Sequence, residues 1–283
     1  MEFYKKGSQI FIPDNTVESP IKRTTHLAIA AHQDDIELMA YSGIAECFQN
    51  PDKWFCGVVV TDGAGSARGG AYKDFSDEQM KEIRITEQKK AAVIGEYSAQ
   101  IFLNYSSSEI KDKQNKNAVD DIEKLLLETS PAVVYTHNLA DKHDTHCAVS
   151  IKVIEALRKM PKDLRPKKVL GCEVWRDLDW LCDNEKVIMD TSFRPNLAAS
   201  LIGVFDSQIS GGKRYDLAIA GRRAANATYG VSHKVDNINS LNYAMDLTPL
   251  ILDDNINPIN YVLEFIERFQ EDIKSRLEKY HEV

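Results

Sequence analysis

Apolar residues in this chain come in short unbroken runs rather than in strict alternation. The first, Leu27-Ala28-Ile29-Ala30-Ala31, stops at the polar, turn-forming His32-Gln33-Asp34-Asp35. The second, Trp54 to Val60, ends in Thr61-Asp62-Gly63-Ala64-Gly65. Ile101 to Leu103, Ala132 to Thr136 and Val169 to Trp175 continue the series. Runs of this kind suit strands covered on both faces, as in a parallel sheet. Between them the spacing turns helical, which predicts helices over roughly 37–49, 77–95, 118–128 and 144–159. Gly95 suits a helix C-cap, and Val119, Ile122, Leu125 and Leu126 share one side before Pro131. Strands alternating with helices predict βαβ units: an α/β fold with a mostly parallel sheet flanked by helices.

Beyond residue 185 the pattern reads as helices at Phe193 to Phe205 and Tyr215 to Ala227. A stripe follows at Ile259, Val262, Leu263, Ile266, Phe269, Ile273 and Leu277. This predicts a helical C-terminal extension over about 255–281, expected to pack on the sheet rather than against another subunit. The length of 283 residues suits one large domain with such an extension, and no repeat or linker interrupts it. We therefore expect a single domain over 1–283, with its core at about 24–246.

Composition narrows the function. Hydrophobic residues make up 43% and charged residues 28%, enough for a sizeable core. The net charge of −8 and pI near 5.5 argue against a nucleic-acid partner held by backbone electrostatics. No apolar run approaches a membrane span, and Met1 to Gly7 has no apolar signal-like stretch. The five cysteines are odd in number and form no CxxC pair, so the expected setting is a reducing cytoplasm.

Both histidine-rich segments lie just past predicted strand ends, where open parallel sheets bind ligands. His32-Gln33-Asp34-Asp35 brings one imidazole and two carboxylates together; the other cluster is Asp141-Lys142-His143-Asp144-Thr145-His146. His146 starts the apolar face of its helix, with Val149, Val153, Ile154 and Leu157, so it points inward and needs a polar partner. Two histidines and a carboxylate with an open position form a common catalytic zinc set. The simplest assignment takes His32, Asp35 and His146 as ligands of one divalent ion. Asp34 is then free to accept a proton, and His143, one turn before His146, serves as acid or oxyanion donor. Each cluster alone also has a structural use, since paired aspartates cap helices and His-x-x-His often opens one.

Ala31-His32-Gln33-Asp34-Asp35-Ile36-Glu37 resembles the AHPDDxE signature of the PIG-L/LmbE-like deacetylases. Thr61-Asp62-Gly63 resembles the family's T-x-G turn. Arg84, Glu87, Ala91, Ala92 and Gly95 follow its R-x-x-E…A-A…G helix, and His143-x-x-His146 matches its second metal motif. Asp206-Ser207-Gln208 and Tyr243-Ala244-Met245 resemble later segments, so the likeness spans about 24–246. It implies a Rossmann-like fold and zinc-dependent removal of an N-acetyl group from an N-acetylglucosamine-type amino sugar. It also implies Zn2+ on His32, Asp35 and His146, Asp34 as general base, His143 at the tetrahedral intermediate, and Arg84 against substrate. Gln33 departs from the usual proline. Thr145 stands where an aspartate usually orients the first histidine, leaving Asp141 or Asp144 for that role.

Other residues are secondary. Asp62, Arg68 and Tyr72 sit on a glycine-rich segment expected to be a rim loop near substrate, and Trp175 is a candidate stacking surface. His26, His137 and His233 are expected to be structural. The partner expected is a small amino-sugar substrate, with a homo-oligomer left open. The alternatives are a metal hydrolase for another amide or an ester, and a non-catalytic binding protein with the same fold.

Overall fold

The computed structural model describes residues 1–14 and 19–281. One eight-stranded sheet organises them: β1 (Gln9–Phe11), β2 (His26–Ala30), β3 (Phe55–Thr61), β4 (Ala99–Tyr105), β5 (Val133–His137), β6 (Lys168–Cys172), β7 (Val187–Asp190) and β8 (Leu241–Asp246), in the order β1-β4-β3-β2-β5-β6-β8-β7. The five central strands, β4 to β6 in that order, are parallel; β1 joins one edge antiparallel, and β8 and β7 extend the other. The mostly parallel α/β expectation holds. The edge strands β1 and β7, of three and four residues, are too short to leave a clear run, and polar Asn242 interrupts the apolar positions of β8.

The helices are α1 (Asp35–Met39), α2 (Tyr41–Cys47), α3 (Asp77–Ile94), α4 (Ser107–Lys111), α5 (Asn117–Thr129), α6 (Asp144–Lys159), α7 (Pro195–Gly203), α8 (Asp206–Ile209), α9 (Tyr215–Tyr229), α10 (Pro249–Leu252) and α11 (Pro258–Leu277). They cover both faces, which explains the unbroken apolar runs. Leu27 and Ile29 of β2 join one core with Leu125 of α5 and Val153 of α6. Ala28 and Ala30 join the other with Ile36 of α1, Ile44 of α2 and Leu201 of α7. Each fully buried Leu or Ile contributes about 1.5–3 kcal/mol.

The helix expected over 37–49 is broken at Ala40, whose φ of −117° and ψ of 21° end α1 and start α2. The break lets α2 lie close on β5. A Cβ at Gly43 would come within 2.7 Å of the Tyr135 ring. The C-terminal helix forms as expected and packs through Val262 and Phe265. No helix among the described residues is long and apolar enough to cross a membrane.

Candidate active site

Chain order sets where this sheet can bind. From β2 the chain winds outward through β3 and β4, then returns to place β5 on the other side of β2. Ligands in such sheets bind at this reversal, beyond the strands' carboxyl ends. His32 to Asp35 leave the end of β2, and His143 to His146 follow β5. His26 pairs in register with Val133, so the two segments emerge side by side although 114 residues separate His32 from His146.

Three donor atoms converge there. His32 Nδ1 lies 3.2 Å from Asp35 Oδ2 and 3.1 Å from His146 Nε2, and the latter two are 3.3 Å apart. A tetrahedral ion with bonds of about 2.0–2.1 Å needs ligand atoms about 3.3–3.4 Å apart, so this N2O triangle matches one face of zinc-type coordination. His143 offers a further nitrogen within 4.8 Å of those of His32 and His146. The electrostatics favour a cation: burial by itself would lower the His146 imidazole, yet Asp35 and Asp141 on either side raise it to about 9. Burial would raise Asp35, but His146, His32 and His137 hold it well below the ordinary carboxylate range.

Asp34 stands outside the triangle. Its φ of 85° is left-handed, rare for a residue with a Cβ, and such strain concentrates at functional positions. The turn sends the adjacent carboxylates apart. Asp35 Oδ2 joins the triangle and also accepts the His32 backbone N–H at 2.8 Å, whereas Asp34 Oδ2 lies 3.1 Å from Arg84 Nη2. Burial pushes the Asp34 carboxyl up to about 7 against the pull of Arg84.

Helix α3 supports this arrangement along one buried polar face. Arg84 donates to the Gln33 carbonyl, to Asp34 and, at 2.7 Å, to Ser66 Oγ. Glu87 accepts the Ser207 N–H at 2.7 Å and its hydroxyl at 2.6 Å, tying α3 to α8. Gln88 accepts the Asp34 N–H at 3.1 Å and donates to Glu37 at 2.8 Å. Gly63 closes the turn after β3 with a φ of 74°, and a Cβ there would fall 2.5 Å from Gln33 Oε1.

The cavity over the triangle has a volume of about 440 Å3 and reaches Asp34, Arg84, His143, Trp175 and Tyr215. Trp175 forms a wall, its ring 6.2 Å from His143 and under Lys213 Nζ at 4.8 Å. Arg84 lines the cavity, but its fork is committed to Asp34 and the turn, so it serves as a positioning residue more than a free contact. Asp62 and Arg68 do not line it. Asp62 accepts the Ala64 N–H at 3.1 Å and lies 3.3 Å from Lys81, while Arg68 holds Ala64 O and Asp77. Short-range loop folding takes the side chains that the sequence assigned to substrate. Tyr72 instead donates to Asp206 Oδ2 at 2.5 Å.

Neither candidate orients His143. Asp141 accepts the His143 backbone N–H at 3.0 Å, but its other oxygen faces His146 Nδ1 at 3.4 Å; Asp144 is exposed. Burial and the neighbouring His146 and His32 lower His143 to about 4, so it is a neutral donor. His137, expected to be structural, stacks on His146 at 3.8 Å between centroids and lies 3.6 Å from Asp35. Its Nε2 already accepts the Ala31 N–H at 2.8 Å, so it buttresses the triangle rather than completing it. The exposed His233 is not among the cavity-lining residues. Sequence reasoning missed Tyr215, Lys213, Lys111 and Ser107, which come from segments with no motif of their own, and Gln88, which sits beside Glu87 at a variable position of the α3 motif.

The sequence matches no curated protein. Among solved structures, N,N'-diacetylchitobiose deacetylase from Pyrococcus horikoshii has a TM-score of 0.62 at 16% identity, covering 85% of this chain and 90% of its own. The A40926 pseudoaglycone deacetylase Dbv21 has a TM-score of 0.56 at 17% identity, covering 79% and 97%. GalB, the 4-carboxy-2-hydroxymuconate hydratase from Pseudomonas putida KT2440, has a TM-score of 0.61 at 17% identity, covering 79% and 96%. Deacetylases and a hydratase share this fold, so the fold alone does not decide the reaction. The segment that carries the two histidine clusters is more specific: residues 27–157 match the PIG-L family model, GlcNAc-PI de-N-acetylase.

Proposed function

We propose that this protein is a divalent-metal-dependent deacetylase that hydrolyses the N-acetyl group of an amino-sugar derivative. The observation that carries the reading is the triangle of His32, Asp35 and His146, with Asp34 close by but outside it. Metal binding alone needs no second carboxylate held on a strained turn by a buried arginine. The PIG-L match and the resemblance of the two motifs support the same chemistry.

Zinc is the metal that best suits an N2O set, and when bound it would polarise an amide carbonyl and acidify water. The residues do the rest. Asp34, whose carboxyl burial pushes up to about 7, accepts in its ionised form the proton of the attacking water and returns it to the departing amine. Arg84 fixes the carboxylate's direction. His143, neutral, donates a hydrogen bond to the carbonyl oxygen as negative charge develops there. Trp175 offers an apolar face for a sugar ring, and the buried turn from Gln33 to Asp35 keeps bulk water from the far side.

The test is release of free amine from a panel of N-acetylated amino sugars by the zinc-loaded chain, with and without a chelator. Chelator-sensitive amine release supports the reading. Turnover of esters alone would assign another hydrolase, and saturable sugar binding without turnover would assign a binding protein.

A further inference from the structure

Helix α11 has two faces, and only one has a partner among the described residues of the chain. On the inner face Val262 and Phe265 are buried, Phe269 is half-buried, and the Tyr261 hydroxyl donates to Asp246 O at 2.6 Å. Arg268 lies over the Phe265 ring at 4.4 Å and pairs with Glu185. The outer face presents Ile259, Leu263, Ile266, Gln270, Ile273 and Leu277, with Tyr280 just past the helix end. Their spacing alternates four and three without a break, which is the a/d spacing of a coiled coil over three heptads. The apolar members are exposed: Ile259 by 66%, Leu263 by 47%, Ile266 by 42%, Ile273 by 41% and Leu277 by 63%. A helix that only caps its own domain needs one apolar stripe, and the inner face already supplies it. Contiguous exposed apolar surface of this kind marks an interaction site.

We infer that this seam is covered by α11 of a second copy of the chain, packed antiparallel about a two-fold axis near Gln270. The charges flanking the seam select this occupant. Glu267 and Lys274 follow Ile266 and Ile273 and so lie on the same flank. In an antiparallel pair equivalent flanks face each other, which sets Glu267 of one copy against Lys274 of the other, twice by symmetry. Phe269 and Arg276 on the other flank cross in the same way, bringing a guanidinium to an aromatic ring. A parallel pair would instead place Glu267 and Lys274 opposite Val262 and Phe269, with no charge complement. Gln270 is the single polar seam residue and falls beside the axis, where a lone polar position fixes register.

Sedimentation of the full chain over about 1 to 100 µM, where a modest interface assembles, tests this. The expected mass rises from 31.9 kDa towards twice that value. The double variant Ile266→Asp, Ile273→Asp is expected to stay at the one-chain mass with unchanged circular dichroism, since both side chains face solvent in the single chain. Glu267→Lys and Lys274→Glu should each weaken association several-fold, and the two together should restore it. A one-chain mass throughout overturns the inference. So does a dimer that survives the aspartate pair, or a double charge exchange that fails to restore association.

Discussion

The two ends of the sheet carry similar chemistry and do different things. At the amino end, His26 and Glu46 line a cavity of about 810 Å3, nearly twice the volume over His32 and Asp35. His26 Nδ1 lies 2.9 Å from Thr25 Oγ1 and 3.3 Å from Cys47 Sγ, and its Nε2 lies 3.6 Å from Glu46. His26 and Glu46 thus already have neighbours of complementary kind, and Glu46 is also held by Lys53. Burial pushes the Cys47 thiol up to about 12, which leaves it unreactive. At the carboxyl end, two ring nitrogens and a carboxylate oxygen meet within 3.3 Å of one another, with a second carboxylate beside them. Cavity size does not mark the site; convergent donors do. The chain reversal between β2 and β5 supplies that convergence at one end only.

The largest expected effect separates the two ends. His146→Ala should lower metal affinity by more than about a hundredfold, beyond the 10–100-fold typical of losing an outer contact, and abolish turnover. Metal analysis after dialysis reads this directly, and a full equivalent of bound zinc in the variant would break the comparison.

Asp34→Asn sharpens it. The shape is kept and the basicity removed, so turnover should fall by roughly two to four orders of magnitude while metal stays bound. Loss of metal would mean that the adjacent aspartates have exchanged roles; near-normal turnover would move the base to another group.

The positioning role of Arg84 predicts a smaller, stability-based signature. Above about pH 7, where Asp34 is ionised, Arg84→Ala leaves its buried carboxylate without a partner, at a cost of about 3–5 kcal/mol in denaturant unfolding of the metal-free chain. Adding Asp34→Asn should recover much of that loss, because the uncompensated charge is gone. Additive losses would show that the ion pair is not what Arg84 supports.

The smallest effect belongs to the amino end. His26→Ala should cost about 1–2 kcal/mol, the scale of buried hydrogen bonds lost, with metal content and turnover unchanged. A turnover loss comparable with that of Asp34→Asn would make the larger cavity functional after all.

Much of the site was legible in the residues. Strand runs followed at once by His32-Gln33-Asp34-Asp35, and a second cluster ahead of an apolar helical face, already placed candidate donors at strand ends. Arg84 and Glu87 were visible as a spaced pair, but their targets were not, since Asp34 and Ser207 lie 50 and 120 residues away. Asp62 and Arg68 misled because a loop side chain that bonds its own backbone looks, in sequence, like one that reaches a substrate. His137 was undervalued for the opposite reason: a histidine ending a strand has no sequence mark of stacking on another imidazole.

What the sequence determines by itself is local. Unbroken apolar runs specify strands buried on both faces, helical spacing specifies the covering layers, and the order of elements implies a mostly parallel α/β sheet. The identity of the donors, His32, Asp35 and His146, is written in two short motifs. Only the tertiary structure decided which atoms meet. The reversal between β2 and β5 set the 3.1 Å approach of His32 to His146, the left-handed turn at Asp34 parted the two carboxylates, and α3 crossed beneath to hold one of them. The periodicity that marks strands and helices is written within a few residues, whereas donor convergence depends on chain topology, and no window of sequence contains that.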